Sequence, residues 1–164
     1  MKKIYIIGPV GSGKTTLAKH LSKKYNIPYY ELDKVVHDDL IGMKRSSLEI
    51  EKIFSNILKE EEWIIEDVGR DIFKLGIIEA DMVYYLDIPG YILYNRCFRR
   101  WIMQRIGLME YSYYPTISNL FQMLEWVNAG KEKKNEKLSI ILEFSKNHKV
   151  LKRNDVKIME KKYD

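Results

Sequence analysis

The sequence predicts a single α/β domain built on a parallel sheet, and three observations support this fold class. The chain has 164 residues, 46% of them hydrophobic and 31% charged, which is a balance typical of a folded globular domain. Short apolar segments alternate with longer amphipathic segments, as expected of strands that alternate with helices. A glycine-rich stretch separates the first apolar segment from the first amphipathic one. We therefore expect a sheet that is covered by helices on both faces.

The N-terminal half predicts three strands and two helices. The segment "KIYII" predicts a buried strand that stops at Gly8, and apolar residues at helical spacing predict a helix from Lys14 to Tyr25. The segment "PYYEL" predicts a second, short strand that ends at Asp33. A second helix is predicted in "SLEIEKIFSNILKE", and "WIIEDVG" predicts the third strand.

The C-terminal half predicts two further strands with a helical insert between them. The segments "MVYYLDIP" and "HKVLKRND" predict the fourth and fifth strands. The insert covers about residues 90–146, and we expect it to be interrupted by Gly107 with Pro115 and again by Gly130. No internal repeat, low-complexity tract or linker divides the sequence. The whole chain, residues 1–164, is therefore predicted to be one domain that includes this insert.

Composition and charge restrict the class of protein. The single cysteine, Cys97, cannot form an internal disulfide, so nothing indicates an oxidising compartment. No apolar stretch reaches the roughly 20 residues that span a bilayer, and the N-terminal apolar run is too short for a signal-peptide core. We expect a cytoplasmic protein without a membrane partner. The net charge is +5, and we interpret the basic excess after Lys131 as a solvated helix face and a frayed tail.

The glycine-rich stretch after the first strand predicts a nucleotide-binding loop. The letters "GPVGSGKT", residues 8–15, match the pattern G-x-x-x-x-G-K-[ST] in full, between a predicted strand and a predicted helix. Glycines let the backbone turn its N–H groups inward, and the following helix directs the positive end of its dipole at phosphates. Lys14 would reach the β and γ phosphates, the Thr15 hydroxyl would bind Mg²⁺, and Thr16 would donate to another phosphate oxygen. The predicted phosphate loop consists of Gly8, Pro9, Val10, Gly11, Ser12, Gly13, Lys14, Thr15 and Thr16.

Four stretches of the chain resemble one known family. They are "GPVGSGKTTLA", "IPYYELDKVVH", "WIIEDVGR" and "YYLDIPGYILYNRCFRR", and together they cover most of the sequence in order. They resemble the bacterial DNA topology modulation family, whose members are similar to adenylate kinase. The resemblance implies a P-loop NTPase fold with a five-stranded parallel sheet in the order 2-3-1-4-5. It also implies a helical lid formed by the insert, and ATP with Mg²⁺ as ligands.

The resemblance assigns roles to the end of the third strand. Here "EDVGR" is similar to the Asp-Gly-Phe-Pro-Arg pattern of small nucleotide kinases. Glu66 takes the acidic place, which implies that it holds a water of the Mg²⁺ shell, and Arg70 takes the arginine place, which implies a clamp on an acceptor phosphate. The chain departs from the pattern by having Glu for Asp, Asp67 for Gly, and no proline. A solvated strand end is the alternative interpretation for Glu66 and Asp67.

Two residues near the second strand are candidates for binding the acceptor. In the related small-molecule kinases an acidic residue at the place of Asp33 orients an acceptor hydroxyl, so Asp33 is a candidate base or orienting group. The alternative is that Asp33 caps the next helix. Arg45 resembles an acceptor-phosphate contact of nucleotide kinases, and the alternative is an exposed basic residue.

An arginine-rich helix follows the fourth strand. Arg96, Arg99 and Arg100 share one helical face because they differ by three and four residues. In adenylate-kinase-like proteins the lid arginines fold over the transferring phosphates, so we assign this role first to Arg96 and Arg100. A solvated basic face and a patch for nucleic-acid phosphates are the alternatives. Bases could stack on interleaved aromatic residues, which are Phe98, Trp101, Tyr111, Tyr113 and Tyr114.

Two functions from different classes follow. The first is an ATP-dependent kinase that transfers the γ-phosphate to a nucleotide, a nucleoside or another small hydroxyl-bearing acceptor. The second is a nucleic-acid-associated regulator, related to DNA topology modulation, that uses ATP as a switch or acts without catalysis. The sequence has no recognised DNA-reading motif, so we expect any nucleic-acid binding to be weak and non-specific. A plain ATPase or an inactive nucleotide binder is a third possibility.

Overall fold

The computed structural model of the protein describes residues 2–38, 43–109 and 114–161. Tyr111 and Tyr113, two of the aromatic residues considered for base stacking, lie outside these ranges.

A five-stranded, all-parallel sheet forms the centre of the molecule. Its strands, in chain order, are β1 Lys3–Ile7, β2 Tyr29–Glu31, β3 Trp63–Asp67, β4 Met82–Asp87 and β5 His148–Lys152. They lie in the order β2-β3-β1-β4-β5, which confirms the predicted order. Ile7 pairs in register with Asp67 on one side and with Tyr85 on the other, so the carboxyl ends of the central strands meet at one edge. Ligands of open parallel sheets bind at this edge.

Eight α-helices are described around the sheet. They are α1 Lys14–Tyr25, α2 Leu32–Val36, α3 Ser47–Lys59, α4 Lys74–Glu79, α5 Gly90–Arg105, α6 Ile117–Glu132, α7 Lys134–Phe144 and α8 Arg153–Lys161. A short 3-10 turn, Asp71–Phe73, precedes α4. The bounds of β1 and α1 coincide with the prediction because local patterns specify both elements. Helix α3 begins at a capping box in which Ser46 and Glu49 bond each other's backbone N–H.

Strand alternation divides the buried side chains into two cores. Tyr5 and Ile7 of β1 face one core, which is closed by α2, α3, α4 and α7. Ile4 and Ile6 face the other core, which is closed by α1, α5, α6 and α8. Helices therefore cover both faces of the sheet, as the alternating pattern predicts.

The insert differs from its prediction at Gly130. Gly107 does end α5, with a φ of 73°, but Gly130 lies inside α6, and the break comes at Lys133. A Cβ atom at Gly130 would approach Pro9 Cβ to 3.0 Å. The glycine is explained by this close packing of α6 on the phosphate loop and not by a break in the helix. None of the described helices is long and apolar enough to cross a bilayer.

The C-terminal segment forms a helix after the fifth strand. Val156 of this helix, α8, is buried in the second core, and the predicted frayed tail beyond Lys161 lies outside the described residues. The polar face of α8 is exposed, as the interpretation of a solvated basic face requires.

Candidate functional site

The phosphate loop joins β1 to α1 at the carboxyl edge of the sheet. Gly11 and Gly13 have φ values of 76° and 99°, a region that side chains other than glycine rarely adopt without strain. A Cβ atom at Gly8 would lie 2.8 Å from Ser12 Oγ and 3.0 Å from Leu86 Cβ. Two glycines are therefore required by backbone conformation and the third by the lack of space.

Lys14 and Thr15 lie at the start of α1 and reach toward β3. Lys14 Nζ donates to the Pro9 carbonyl at 3.1 Å and lies 3.9 Å from Glu66 Oε2. Thr15 Oγ1 donates to Glu66 Oε1 at 2.8 Å. Ser12 is fully buried, and its hydroxyl has no hydrogen-bond partner among the described residues. The loop thus has a buried cation and a buried hydroxyl whose hydrogen-bonding capacity is unused among the described residues.

Glu66 is buried at the end of β3, with 4% of its surface exposed. Burial raises the pKa of its carboxyl, while the nearby charge of Lys14 and the hydrogen bond from Thr15 act in the opposite sense. Asp67 is also buried, at 2% exposure. The alternative that Glu66 and Asp67 form a solvated strand end is therefore wrong.

The chemistry of the oxygen donors beside the loop suits Mg²⁺. The Thr15 hydroxyl and the Glu66 carboxylate are one hydrogen bond apart, and a hard cation prefers such oxygen ligands. Mg²⁺ in phosphate-binding sites takes one or two protein ligands and completes its shell with waters and phosphate oxygens. These two residues therefore fit the ion that the sequence predicts.

Arg70 is held between two carboxylates. Asp67 accepts from the N–H groups of Gly69 at 2.7 Å and Arg70 at 2.6 Å, and also from the Arg70 Nη1 group. Arg70 Nη2 donates to Asp33 Oδ1. The Asp67 side chain is fully buried, whereas that of Asp33 is 62% exposed. Asp67 is therefore the fixed anchor of the guanidinium, and Asp33 is the partner that a ligand can reach.

The structure rejects the alternative role of Asp33 and shows what Arg45 contacts. Asp33 lies inside α2, whose N-cap is Glu31, so the interpretation of Asp33 as the helix cap is wrong. Arg45 Nη1 donates to the carbonyls of Lys34, Val35 and His37, and its Nη2 pairs with Asp38 at 3.2 Å. Arg45 is thus bonded to the C-terminal end of α2, while its contact with an acceptor stays a prediction.

The two arginines assigned to the lid lie in different surroundings. Arg96 Nη1 donates to the carbonyls of Gly11 at 3.1 Å and Ser12 at 2.8 Å, so it contacts the phosphate loop directly. Arg100, one turn later on α5, is exposed. Burial raises the pKa of the Cys97 thiol, and the charges of Arg100 and Lys14 both oppose this rise. Arg96 therefore contacts the phosphate loop, whereas the contact of Arg100 with a bound nucleotide stays a prediction.

Lys137 also lies at the site, although the sequence alone does not predict it there. Its Nζ atom donates to the Val68 carbonyl, in the loop after β3. Burial lowers the pKa of Lys137, and so do the charges of Lys133, Lys14 and Arg70, whereas Asp67 opposes this. The run of charges after Lys131 predicts a solvent-facing helix surface, so it does not predict the contact of Lys137 with the β3 loop. The spacing of four between Lys133 and Lys137 indicates a shared helix face, but not that this face meets the β3 loop.

A cavity of about 330 Å³ lies between α7 and the loop after β3. It is bordered by Val68, Gly69, Arg70, Asp71, Lys133, Glu136, Lys137 and Ile140. Arg70 of this cavity follows Glu66 by four residues, and Glu66 contacts Lys14 and Thr15 of the phosphate loop. A phosphate-binding loop and a charged pocket therefore lie side by side at the carboxyl edge of the sheet.

Sequence comparisons connect the chain to ATPases and small kinases. Residues 4–68 match the family described as ATPase family associated with various cellular activities (AAA). The chain is 33% identical to a cytidylate kinase of Sulfolobus acidocaldarius over 94 residues, which are 57% of this chain and 49% of that protein. It is 26% identical to a shikimate kinase of Marinomonas sp. over 126 residues, 73% of this chain and 60% of that protein. An adenylate kinase of Clostridium kluyveri is 23% identical over 133 residues, 64% of this chain and 61% of that protein.

Solved structures share the fold of this chain. The shikimate kinase from Acinetobacter baumannii in complex with shikimate aligns with a TM-score of 0.60 and 15% identity, covering 99% of this chain and 90% of that one. The shikimate kinase from Bacteroides thetaiotaomicron aligns with a TM-score of 0.61 and 14% identity, covering 97% and 94%. These likenesses confirm the predicted P-loop α/β fold. In sequence, the chain spans about half to three fifths of the curated relatives described above.

Proposed function

We propose that the protein is an ATP-dependent phosphotransferase of the small-kinase type, which transfers the γ-phosphate of ATP to a small acceptor. The observation that carries this proposal is the arrangement of two binding regions on either side of Glu66. Lys14 and Thr15 of the phosphate loop contact Glu66 on one side, and on the other the chain leads from Glu66 to Arg70, which pairs with Asp33. Such an arrangement suits a donor and an acceptor that must meet in one site.

On the donor side, residues Gly8 to Thr16 would bind the phosphates of ATP through inward N–H groups and the start of α1. Thr15 and Glu66 would hold Mg²⁺, which neutralises phosphate charge when bound. Lys14 would move from the Pro9 carbonyl to the β and γ phosphates. This change needs no new burial of charge, because Lys14 is already only 8% exposed beside Glu66.

On the acceptor side, Arg70 would bind an anionic group of the acceptor. One arm of its guanidinium is fixed by buried Asp67, so the group is oriented before the acceptor arrives. The other arm reaches Asp33, which would orient the acceptor hydroxyl once the ligand enters. Lys133 and Lys137 add positive charge to the same cavity. A contact from Arg45 would require it to leave the carbonyls at the end of α2.

Arg100 is the proposed lid arginine in this reaction. Phosphoryl transfer spreads negative charge over the phosphate oxygens, and a guanidinium in a closed site stabilises that charge. Arg100 is exposed on α5, one turn after Arg96, so its guanidinium would be able to turn toward a nucleotide bound in the phosphate loop. A cytoplasmic location is part of this proposal, and the acceptor is a nucleotide, a nucleoside or another small hydroxyl-bearing molecule.

The test is an ADP-release screen over nucleoside monophosphates, nucleosides and small hydroxyl metabolites. We expect at least one acceptor to stimulate ADP release by the wild type. Asp33→Asn should then lower the stimulated rate by about 10²-fold or more, as expected for loss of a general base. Arg70→Met should raise the KM for an anionic acceptor. Glu51→Gln, an acid-to-amide change at an exposed position of α3, is the matched control and should behave like the wild type.

Two results would contradict the proposal. Absence of stimulation by every acceptor class would favour a switch or a binding role. Full activity of Asp33→Asn, with ATP binding intact, would remove Asp33 from the mechanism while leaving a kinase in place.

A nucleic-acid-associated role is the second candidate, as the resemblance to the topology modulation family suggests. One observation favours it: the exposed ring of Phe98 stacks on Trp101 at 6.2 Å, and Arg99 and Arg100 follow Phe98 on α5. However, Trp101 Nε1 donates to the Thr116 carbonyl, and the Arg105 guanidinium lies 5.8 Å from the Trp101 ring. These contacts within the insert reduce the surface available for base stacking, so we rank this role second.

A further inference from the structure

Helix α5 packs directly against the backbone of the phosphate loop. A Cβ atom at Gly11 would lie 3.3 Å from both Cys97 Sγ and the Leu93 carbonyl oxygen. A Cβ atom at Gly13 would lie 3.5 Å from Arg96 Nη1. The first part of the insert is therefore packed closely against the backbone of the loop.

Arg96 bonds two consecutive carbonyls of this loop. Its Nη1 atom donates to the Gly11 oxygen at 3.1 Å and to the Ser12 oxygen at 2.8 Å. The residues of these peptide units include two glycines with positive φ, Gly11 and Gly13. Glycine has the greatest backbone freedom, so a loop of this composition needs an external restraint to keep one conformation.

Fixing these carbonyls also fixes the N–H groups on the other side of the same peptide units. A peptide unit is planar and trans, so its C=O and the following N–H point in opposite directions. Because Arg96 holds the Ser12 carbonyl, the Gly13 N–H is directed away from Arg96. The Ser12 N–H, which follows the Gly11 carbonyl, donates to the Pro9 carbonyl at 3.2 Å. Gly13 directly precedes Lys14, so its N–H is at the start of α1, where anions bind.

We propose that Arg96 is a positioning residue: it fixes the Gly11–Ser12 peptide unit in the turn that Pro9 closes, and it holds the Ser12–Gly13 unit so that the Gly13 N–H keeps its phosphate-binding orientation. This role differs from the lid role predicted for Arg96, in which the guanidinium contacts the transferred phosphate. The inference rests on the proposed function only in that the loop binds a nucleotide. Backbone N–H groups of such a loop bind the α and β phosphates, which ATP and ADP share, so loss of Arg96 affects both nucleotides alike. Loss of a lid contact instead affects mainly the transfer step.

Calorimetric titration with ATP and with ADP, each with Mg²⁺, separates the two roles. Arg96→Met should bind both nucleotides roughly 10- to 100-fold more weakly, as expected when hydrogen bonds from a charged group are lost. Its kcat at saturating ATP should change little. Arg96→Lys keeps a cationic donor and should recover part of the affinity. Arg99→Met, the same substitution at an exposed position of the same helix, should bind like the wild type.

A spectroscopic measurement tests the inference without nucleotide. In the nucleotide-free protein, Arg96→Met should shift the ¹H–¹⁵N amide resonances of Ser12 and Gly13, whereas Arg99→Met should leave them in place. Unchanged amide resonances would overturn the positioning role. A variant that binds ATP and ADP normally but loses about 10³-fold in kcat would also overturn it, in favour of the lid role. A wild type that binds no nucleotide would contradict the proposed function, and the amide resonances would still decide the role of Arg96.

Discussion

The hydroxyl of Thr15 donates to Glu66 Oε1 at 2.8 Å, and this bond joins the start of α1 to the end of β3. Glu66 is buried, so its carboxylate depends on Thr15 and Lys14 for compensation. The pair therefore connects the phosphate loop with the strand that leads to Arg70.

Removing the loop lysine should abolish most nucleotide-dependent stabilisation. ATP with Mg²⁺ at about 100 times its Kd should stabilise the wild type by about 2.7 kcal/mol, a rise in Tm of roughly 5 to 10 °C. Lys14→Ala should lose most of this rise, because the loop then lacks the ammonium group that would contact the β and γ phosphates. Differential scanning fluorimetry measures the effect. Lys19→Ala, an exposed lysine on the same helix, is the control and should keep the full rise.

Substitution at Glu66 should weaken nucleotide binding only when Mg²⁺ is present. Glu66→Gln removes a charged oxygen donor beside Thr15, and loss of an outer-shell partner of a metal ion typically lowers affinity by about 10- to 100-fold. The ATP affinity measured with Mg²⁺ and that measured with EDTA should therefore differ by a smaller factor for Glu66→Gln than for the wild type. An equal loss of affinity in EDTA would show that Glu66 acts on the loop itself and not through the ion.

The same substitution should change how stability depends on pH. Burial raises the pKa of Glu66 above its ordinary value of 4.5. The stability that this group contributes is therefore fully present below its unfolded pKa and is lost as pH rises through its folded pKa. Relative to wild type, nucleotide-free Glu66→Gln should gain stability over that interval, as measured by urea unfolding.

Glu49 of α3 provides a control, because its pKa is shifted in the direction opposite to that of Glu66. Hydrogen bonds from Ser46 lower the pKa of Glu49 below 4.5, so its contribution is present above its unfolded pKa and is lost as pH falls through its folded pKa. Glu49→Gln should therefore lose stability at neutral pH. If Glu49→Gln shows this dependence on pH while Glu66→Gln differs from the wild type by an amount that does not vary with pH, the interpretation of Glu66 as a carboxyl with a raised pKa is wrong.

Adding a methyl group at Gly130 should disturb the phosphate loop from a distance in sequence. The new Cβ atom would lie 3.0 Å from Pro9 Cβ, so α6 or the loop must shift. Alanine also favours a helix over glycine by about 1 kcal/mol, which partly offsets the loss of stability. We expect weaker ATP binding by Gly130→Ala with little change in Tm. Glu125→Ala, at an exposed position of α6, is the control, and unchanged ATP affinity of Gly130→Ala would refute the coupling.

Any DNA binding should be weak, non-specific and sensitive to salt. The net charge is only +5, and the described arginines of α5 include Arg96 and Arg105, which are engaged with backbone carbonyls. Fluorescence anisotropy with duplexes of unrelated sequence should give similar affinities that fall steeply with salt. Sequence-specific binding in the nanomolar range at 150 mM salt would instead promote the regulatory function.

Local patterns predict the part of the site that lies on consecutive residues. The strand, glycines, lysine and helix from Lys3 to Tyr25 could be placed from the sequence because neighbouring residues determine each feature. The sheet order followed from the family resemblance. The burial of Glu66 and Asp67 did not follow from local sequence, because a carboxylate at a strand end is solvated unless other elements cover it.

Contacts between distant segments account for the features that the sequence did not reveal. Lys137 donates to Val68, 69 residues away, and Arg96 donates to Ser12, 84 residues away. Spacing on a helix identifies residues that share a face, but it does not identify the partner that the face meets. The same limit explains Gly130. A glycine in a helical pattern predicts a helix break, whereas this glycine allows α6 to pack closely on Pro9.

Helices α6 and α7 form a bent rod that contacts both halves of the site. The two helices share Lys133, whose N–H donates to the Ala129 oxygen at 3.1 Å and whose carbonyl accepts from Lys137 N at 3.0 Å. One part of the rod rests on Pro9 through Gly130, and the other rests on Val68 through Lys137. A tilt of this rod would alter both contacts together. ATP and acceptor should therefore influence each other's affinity reciprocally, by the same factor in either order of addition.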